Sequence, residues 1–254
     1  MSIQFSDLGI NEQIQQSLVD LQISVPTEIQ EKVIPIVLNQ KEDVVVVAKT
    51  GTGKTAAFGL PLLQLIDLED TNIQTLILAP TRELAQQIHA NLVSFATNSP
   101  KIVIELLCGG IPIKPQIECL KTTTHLIVAT PGRLVDLIKR DAIDIKNLKY
   151  LVLDEADEMV SALKEEVDSL IKDIPKSRRT LLFTATMSGP IKQLVQNYMS
   201  KYVVHIESDM ATLGHQGIDH QYVVVEPIEK LEVLLHFLNS KEGERGIIFC
   251  KTKA

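Results

Sequence analysis

Two stretches of this chain combine residue types and spacings that could do chemistry. The first, AKTGTGKT at residues 48–55, follows a β-branched run and opens a helix-like segment. In that context Gly51 and Gly53 let the backbone curl so that N–H groups converge on an anion, and the helix N-terminus adds its dipole. Thr50 and Thr52 lie in the same turn. Lys54 is placed to reach the β- and γ-phosphates of a nucleotide, and Thr55 to offer its hydroxyl to Mg²⁺. The general phosphate-loop pattern has Gly where this chain has Ala48. The second stretch is YLVLDEADEM, residues 150–159, a buried-strand pattern that ends in four crowded carboxylates. Carboxylates this close repel one another, and burial favours their neutral form, so a cation belongs at the end of the strand. Asp154 is the candidate for a metal and Glu155 for orienting a water. Asp157 has no metal role by this logic and reads as an acceptor for another motif, while Glu158 faces solvent. Alone, the acidic run would read equally well as a loop leading into a solvated helix. The phosphate loop in the same chain decides against that.

These groups need a scaffold. Short β-rich runs recur at 44–48, 75–79, 102–107, 125–129, 150–154 and 180–184, with helical spacings between them such as Leu84/Ile88/Leu92 and Leu134/Leu137/Ile138. That alternation predicts an α/β fold, a mainly parallel sheet with helices on both faces. In front lies a helical region in which Asn11 can cap a helix presenting Ile14, Leu18 and Leu21, and a second helix starts near Pro26–Thr27. From 207 the periodicity stops in a polar, glycine-containing stretch that reads as a linker. Beyond it, DHQYVVVE and GIIFC read as strands flanking a helix over 228–238. The expected organisation is a first domain over 1–206, a linker over 207–218, and the truncated beginning of a second domain over 219–254.

The chain has 254 residues and a formal charge of −7, which argues against a broad basic surface for duplex nucleic acid but not against a narrow track. Tryptophan is absent and aromatics are few, so the interior should be aliphatic. Cys108, Cys119 and Cys250 lack C-x-x-C spacing and read as reduced core residues of an intracellular protein. The histidines fit no metal pattern, and His215 and His220 are taken as incidental. The first residues lack the basic start and apolar core of a signal peptide, and no apolar run approaches a membrane span. A cytoplasmic location is expected.

Residues 154–157 spell D-E-A-D, and the chain resembles the DEAD-box ATP-dependent RNA helicases of superfamily 2. In that family the loop reads A-x-T-G-x-G-K-T, so the resemblance makes Ala48 ordinary. It implies a RecA-like first domain and the start of a second, with ATP as substrate and Mg²⁺ as cofactor. PTEIQ at 26–30 looks like the adenine-reading Q motif, which assigns Gln30 to adenine and Phe5 as the upstream aromatic. PTRELA at 80–85, Gly109–Gly110 and TPGR at 130–133 match the family's RNA-binding elements. This nominates Pro80, Thr81, Arg82, Gly109, Gly110, Thr130, Pro131, Gly132 and Arg133. TAT at 184–186 stands where Ser-Ala-Thr is usual. The likeness implies that Thr184 and Thr186 couple to Asp157, with a hydrogen bond from Thr184. IIFC at 247–250 resembles the first motif of the second domain, whose later arginine-rich motifs do not occur here. An aromatic is usual where this chain has Ile23, which weakens base stacking from that side.

PTREL and TPGR also have a local reading. Each follows a strand and starts a helix, with Thr81 and Thr130 as caps and Pro131 suited to the first turn. Free N–H groups there, with Arg82 and Arg133, can hold the phosphates of an RNA single strand or short duplex without reading sequence. The resemblance therefore implies ATP hydrolysis coupled to RNA binding and local unwinding, with a chain of this extent nearly inactive alone. An ATP-gated RNA clamp or assembly platform uses the same motifs.

Overall fold

A computed structural model of the protein describes residues 3–208, 221–241, 243 and 245–250. The chain divides into two compact units, Met1–Gly214 and His215–Ala254.

The first unit begins with α1 (Glu12–Asp20) and α2 (Glu28–Asn39). Asn11 caps α1 by accepting from the Ile14 N–H at 3.0 Å. Thr27 and Gln30 form a capping box at the start of α2. The sheet and its crossovers follow: β1 (Asp43–Val47), α3 (Lys54–Gln64), β2 (Thr75–Leu78), α4 (Arg82–Phe95), β3 (Ile104–Leu107) and α5 (Ile113–Cys119). They continue with β4 (Leu126–Ala129), α6 (Pro131–Lys139), β5 (Tyr150–Leu153), α7 (Ala156–Ala162), α8 (Lys164–Asp173), β6 (Arg179–Thr184), α9 (Gly189–Tyr198) and β7 (Val203–Glu207). The seven strands pair in the order β3-β4-β2-β5-β6-β1-β7, every pair parallel.

Successive strand residues point to opposite faces, which divides the core in two. Val44, Val46, Ile77, Val152, Leu181 and Phe183 pack with α1–α4 on one side. Val45, Leu76, Leu78, Leu151, Leu153 and Leu182 pack under α6–α9 on the other. The interior is aliphatic apart from a few rings such as Phe58 and Phe183, which meet edge to face at 5.1 Å.

Three expectations need correction here. The last strand of the sheet, β7, extends the unit beyond the six expected strands and reaches Glu207, where the linker was expected to begin. It is an edge strand with half-exposed alternation, so its apolar signal is weak. Cys108 is buried, whereas Cys119 and Cys250 are exposed and belong to no core. In the second unit, α10 (Lys230–Ser240) forms, but 221–226 and 246–250 carry no strand. A strand exists only where a neighbour completes its ladder. Tyr222, Val224, Ile247 and Phe249 are correspondingly exposed. Most of the expected linker, with His215 and His220, lies outside the described residues.

Candidate nucleotide and nucleic-acid site

Because the whole sheet is parallel, every strand's carboxyl end opens at one edge, where open α/β sheets bind ligands. The strand order divides that edge. The ends of β5, β6 and β1 carry the phosphate loop and the acidic motif, while those of β3, β4 and β2 carry the other motifs.

After β1 the Ala48 N–H donates to the Thr184 carbonyl at 3.0 Å, and the chain turns through 49–53 into α3. Gly51 (φ 81°) and Gly53 (φ 89°) take left-handed conformations that L side chains rarely adopt. A Cβ on Gly53 would collide with Gln30 Nε2. The loop is pinned inside by Thr52 Oγ1 donating to the Lys49 carbonyl at 2.9 Å. It is pinned from α2 as well: Thr27 Oγ1 donates to the Thr52 carbonyl at 2.8 Å and Gln30 Nε2 to the Gly53 carbonyl at 3.1 Å. Lys54 is buried, with Nζ 3.4 Å from the Ala48 carbonyl and 3.8 Å from Asp154 Oδ1.

Asp154 sits at the end of β5, two strands from β1 with β6 between them, rather than on an adjacent strand. Only 2% of it is exposed. Burial pushes its carboxyl above the ordinary range, against the opposing pull of Lys54 and the Glu155 N–H, and Asp157 adds to the rise. Glu155 is raised too, by burial first and then by Asp154 and Glu158. Its backbone at φ 51° is left-handed, a conformation that costs a non-glycine residue about 1 kcal/mol or more and that turns the chain sharply from β5 into α7. Asp154 is thus a buried acid whose ionised form wants a cation. Among the described residues no group of three His, Cys, Asp or Glu could hold a metal by itself. Asp154 and the Thr55 hydroxyl are hard oxygen donors of the kind that Mg²⁺ would take alongside nucleotide phosphates and water.

Asp157 accepts from Thr186 Oγ1 at 3.5 Å. The donor expected was Thr184, but that hydroxyl turns inward and donates to the Thr186 carbonyl at 3.0 Å. The fully buried Thr184 shapes the turn that presents Thr186. Glu158 is exposed as expected. Phe5, assigned to the nucleotide by resemblance, is 4% exposed and belongs to the core on the side of α1–α4. Ile23 also packs against that core.

At the other half of the edge the three remaining motifs interlock. Thr81 caps α4, its hydroxyl accepting from the Leu84 N–H at 3.2 Å. Arg82 Nη1 donates to the Gly110 carbonyl at 3.4 Å, and Gly110 is left-handed at φ 79°. Thr130 precedes α6 but does not cap it with its side chain; the hydroxyl accepts from the Gly109 N–H at 3.4 Å instead. Pro131 takes the first turn, where its missing N–H costs nothing. Arg133 Nη2 donates to the Ile111 carbonyl at 3.0 Å. Pro80 is half-buried and Gly132 exposed. Sequence reasoning missed Gln116, a buried side chain on α5 that donates to the Cys108 carbonyl at 3.2 Å and braces the turn before Gly109. Nothing in its local sequence marks it.

The DEAD/DEAH box helicase family description matches residues 27–194, which span every motif of this edge. The chain belongs to the DEAD/DEAH-box helicase family. It is 38% identical over 252 residues to the DEAD-box ATP-dependent RNA helicase CshA of Streptococcus pneumoniae, covering 99% of this chain and 48% of that protein. It is 39% identical over 250 residues to a probable ATP-dependent RNA helicase of Methanocaldococcus jannaschii, covering 98% of this chain and 66% of the relative. Among solved structures, a DEAD box protein from Methanococcus jannaschii superposes with a TM-score of 0.76 at 36% identity, over 94% of this chain and 64% of that one. A Saccharomyces cerevisiae Dbp5 variant bound to RNA and ADP BeF3 superposes with a TM-score of 0.73 at 28% identity, over 81% and 52%. This DEAD-box chain spans about half the length of the CshA relatives it matches. Its first unit has the RecA-like fold of the family. No helix among the described residues is long and apolar enough to cross a membrane.

Proposed function

We infer that this chain is the nucleotide-binding half of an ATP-dependent RNA helicase. The observation that carries the reading is the placement of Lys54 Nζ under a left-handed glycine loop and 3.8 Å from the buried Asp154. In this reading Thr50–Thr55 cradle the phosphates, Asp154 and Thr55 hold Mg²⁺, and Glu155 orients the attacking water. Mg²⁺, when bound, neutralises charge on the transferred phosphoryl group. Gln30 recognises adenine, and Asp157 with Thr186 links the acidic motif to the end of β6. RNA runs past Arg82, Gly109–Gly110 and Arg133, held by its backbone. The interlocking of those three motifs supports a preformed track, which reconciles RNA binding with a net charge of −7. Residues 219–254 are the opening of a second RecA-like domain, after a linker that follows β7. A cytoplasmic location fits an RNA-directed activity.

On its own this chain turns over ATP slowly. All five arginines of the first unit are engaged with protein groups: Arg82 and Arg133 on loop carbonyls, Arg140 on Asp136, and Arg178 and Arg179 on backbone carbonyls. An arginine finger at the γ-phosphate is worth about 10³–10⁵ in rate, and in this reading it comes from a second RecA-like domain. The test is steady-state ATPase with and without single-stranded RNA. It is run on this chain and on one continued through a complete second RecA-like domain, each with Glu155→Gln as control. Stimulation by RNA in the longer chain alone, lost in Glu155→Gln, supports the reading. RNA-stimulated turnover by this chain by itself overturns it.

A further inference from the structure

The first turn of α2 touches two things at once. Towards the nucleotide site, Thr27 and Gln30 hold the Thr52 and Gly53 carbonyls of the phosphate loop. From the start of the same helix, Glu28 and Lys32 reach the end of β7. Ser208 Oγ donates to Glu28 Oε2 at 3.1 Å, Lys32 Nζ donates to the Glu207 carbonyl at 3.1 Å, and Lys32 and Glu28 pair at 2.6 Å. Ser208 is 3% exposed, and its N–H donates to the Val47 carbonyl at 3.1 Å, beside the residue that starts the phosphate loop.

We propose that this turn transmits nucleotide occupancy from the phosphate loop to Ser208, the residue that follows the last strand of the sheet, with Glu28 as the positioning residue. The inference rests on the nucleotide reading above. A phosphate would pull on the N–H groups of this loop, and each amide shares a rigid peptide plane with the carbonyl before it, so that load reaches the Thr52 and Gly53 carbonyls. Those two carbonyls are the ones α2 holds. A helical turn is stiff, so a displacement at Thr27 and Gln30 is carried to Glu28 and, one residue into the next turn, to Lys32. The readout lies where the chain leaves the sheet. That is where a two-domain helicase would need to sense its nucleotide.

Hydrogen exchange of the Ser208 amide tests this, with the nucleotide-induced melting shift measured in parallel. In the parent, saturating Mg²⁺–ADP should raise the melting temperature and change Ser208 exchange by about fivefold, the effect of one ordinary hydrogen bond. Glu28→Ala should keep the melting shift and lose most of the exchange response, while Glu28→Gln, which retains an acceptor for Ser208 Oγ, should restore it. A melting shift in the parent without a change at Ser208, or an undiminished response in Glu28→Ala, overturns the coupling. Absence of any melting shift in the parent overturns the nucleotide reading instead.

Discussion

Gln30 donates through Nε2 to the Gly53 carbonyl at 3.1 Å, tying the side chain expected to read the base to the loop expected to hold the phosphates. Its Oε1 accepts from the Thr27 N–H at 2.9 Å, so the orientation of the amide is set by two protein bonds. A primary amide has two N–H donors and two lone pairs, which leaves one of each for a ligand.

We predict that the remaining pair selects adenine. Adenine presents an N7 acceptor beside an N6 donor, whereas guanine presents two acceptors and leaves the glutamine oxygen unmatched. A buried unsatisfied group costs about 1–3 kcal/mol. GTP should therefore bind roughly 5- to 150-fold more weakly than ATP, and Gln30→Ala should narrow the gap mainly by weakening ATP. Competition titrations with equal affinities for the two nucleotides in the parent would remove this role from Gln30.

Asp154 should make the protein, without nucleotide, less stable as pH rises. Its folded pKa lies above the ordinary carboxylate value because burial disfavours the charge. A carboxyl shifted in this direction contributes stability that is complete below the unfolded value of about 3.9 and is lost as pH climbs through the folded one. Asp154→Asn cannot ionise and keeps an oxygen for the Glu155 N–H. Without nucleotide it should melt above the parent at about pH 8, with the gap closing towards about pH 4. A parent more stable than the variant across that range would mean that the Lys54 pair outweighs burial.

Arg179 carries stability rather than chemistry. It is 7% exposed, and its guanidinium donates to the Ile36, Val37 and Glu42 carbonyls at 3.1, 2.7 and 2.6 Å. Two of those carbonyls lie in the last turns of α2, where a cation also meets the negative end of the helix dipole. Burial lowers its pKa from the ordinary arginine value. Hydrogen bonds to a charged group are worth about 1.5–3 kcal/mol each and are not additive. Arg179→Leu should cost at least about 2 kcal/mol in denaturant unfolding, and Arg179→Lys should recover only part, since one ammonium cannot reproduce the planar fork. A neutral Arg179→Leu would show that the carbonyls find other donors.

What could be read from residue types was whatever is local. The apolar runs ending at Ala48, Ala79 and Asp154 marked their strands because each is buried on both faces, and Asn11, Thr81 and Pro131 marked helix starts through short-range capping chemistry. β7 escaped notice because an edge strand with His205 and Glu207 facing out lacks a continuous apolar run. The strands expected around Tyr222 and Phe249 show the converse, since propensity without a pairing neighbour leaves no ladder. Long-range polar contacts were invisible for a different reason. Ser208 and Glu28 meet across 180 positions, and no periodicity encodes such a bond. The choice of Thr186 over Thr184 as partner of Asp157 depended on which way one hydroxyl turned.

The loop from Thr50 to Thr55, completed by Asp154, should form a competent Mg²⁺–nucleotide site. The thermal midpoint of this chain, with and without Mg²⁺–ADP, tests it most directly. At a ligand excess of about 100 Kd, linkage contributes about 2.7 kcal/mol, which for a protein of this size is roughly 5–11 °C. The midpoint should rise by about that amount in the parent, and the rise should nearly disappear in Lys54→Ala. An unshifted midpoint at saturating nucleotide, or an equal shift in Lys54→Ala, would contradict it.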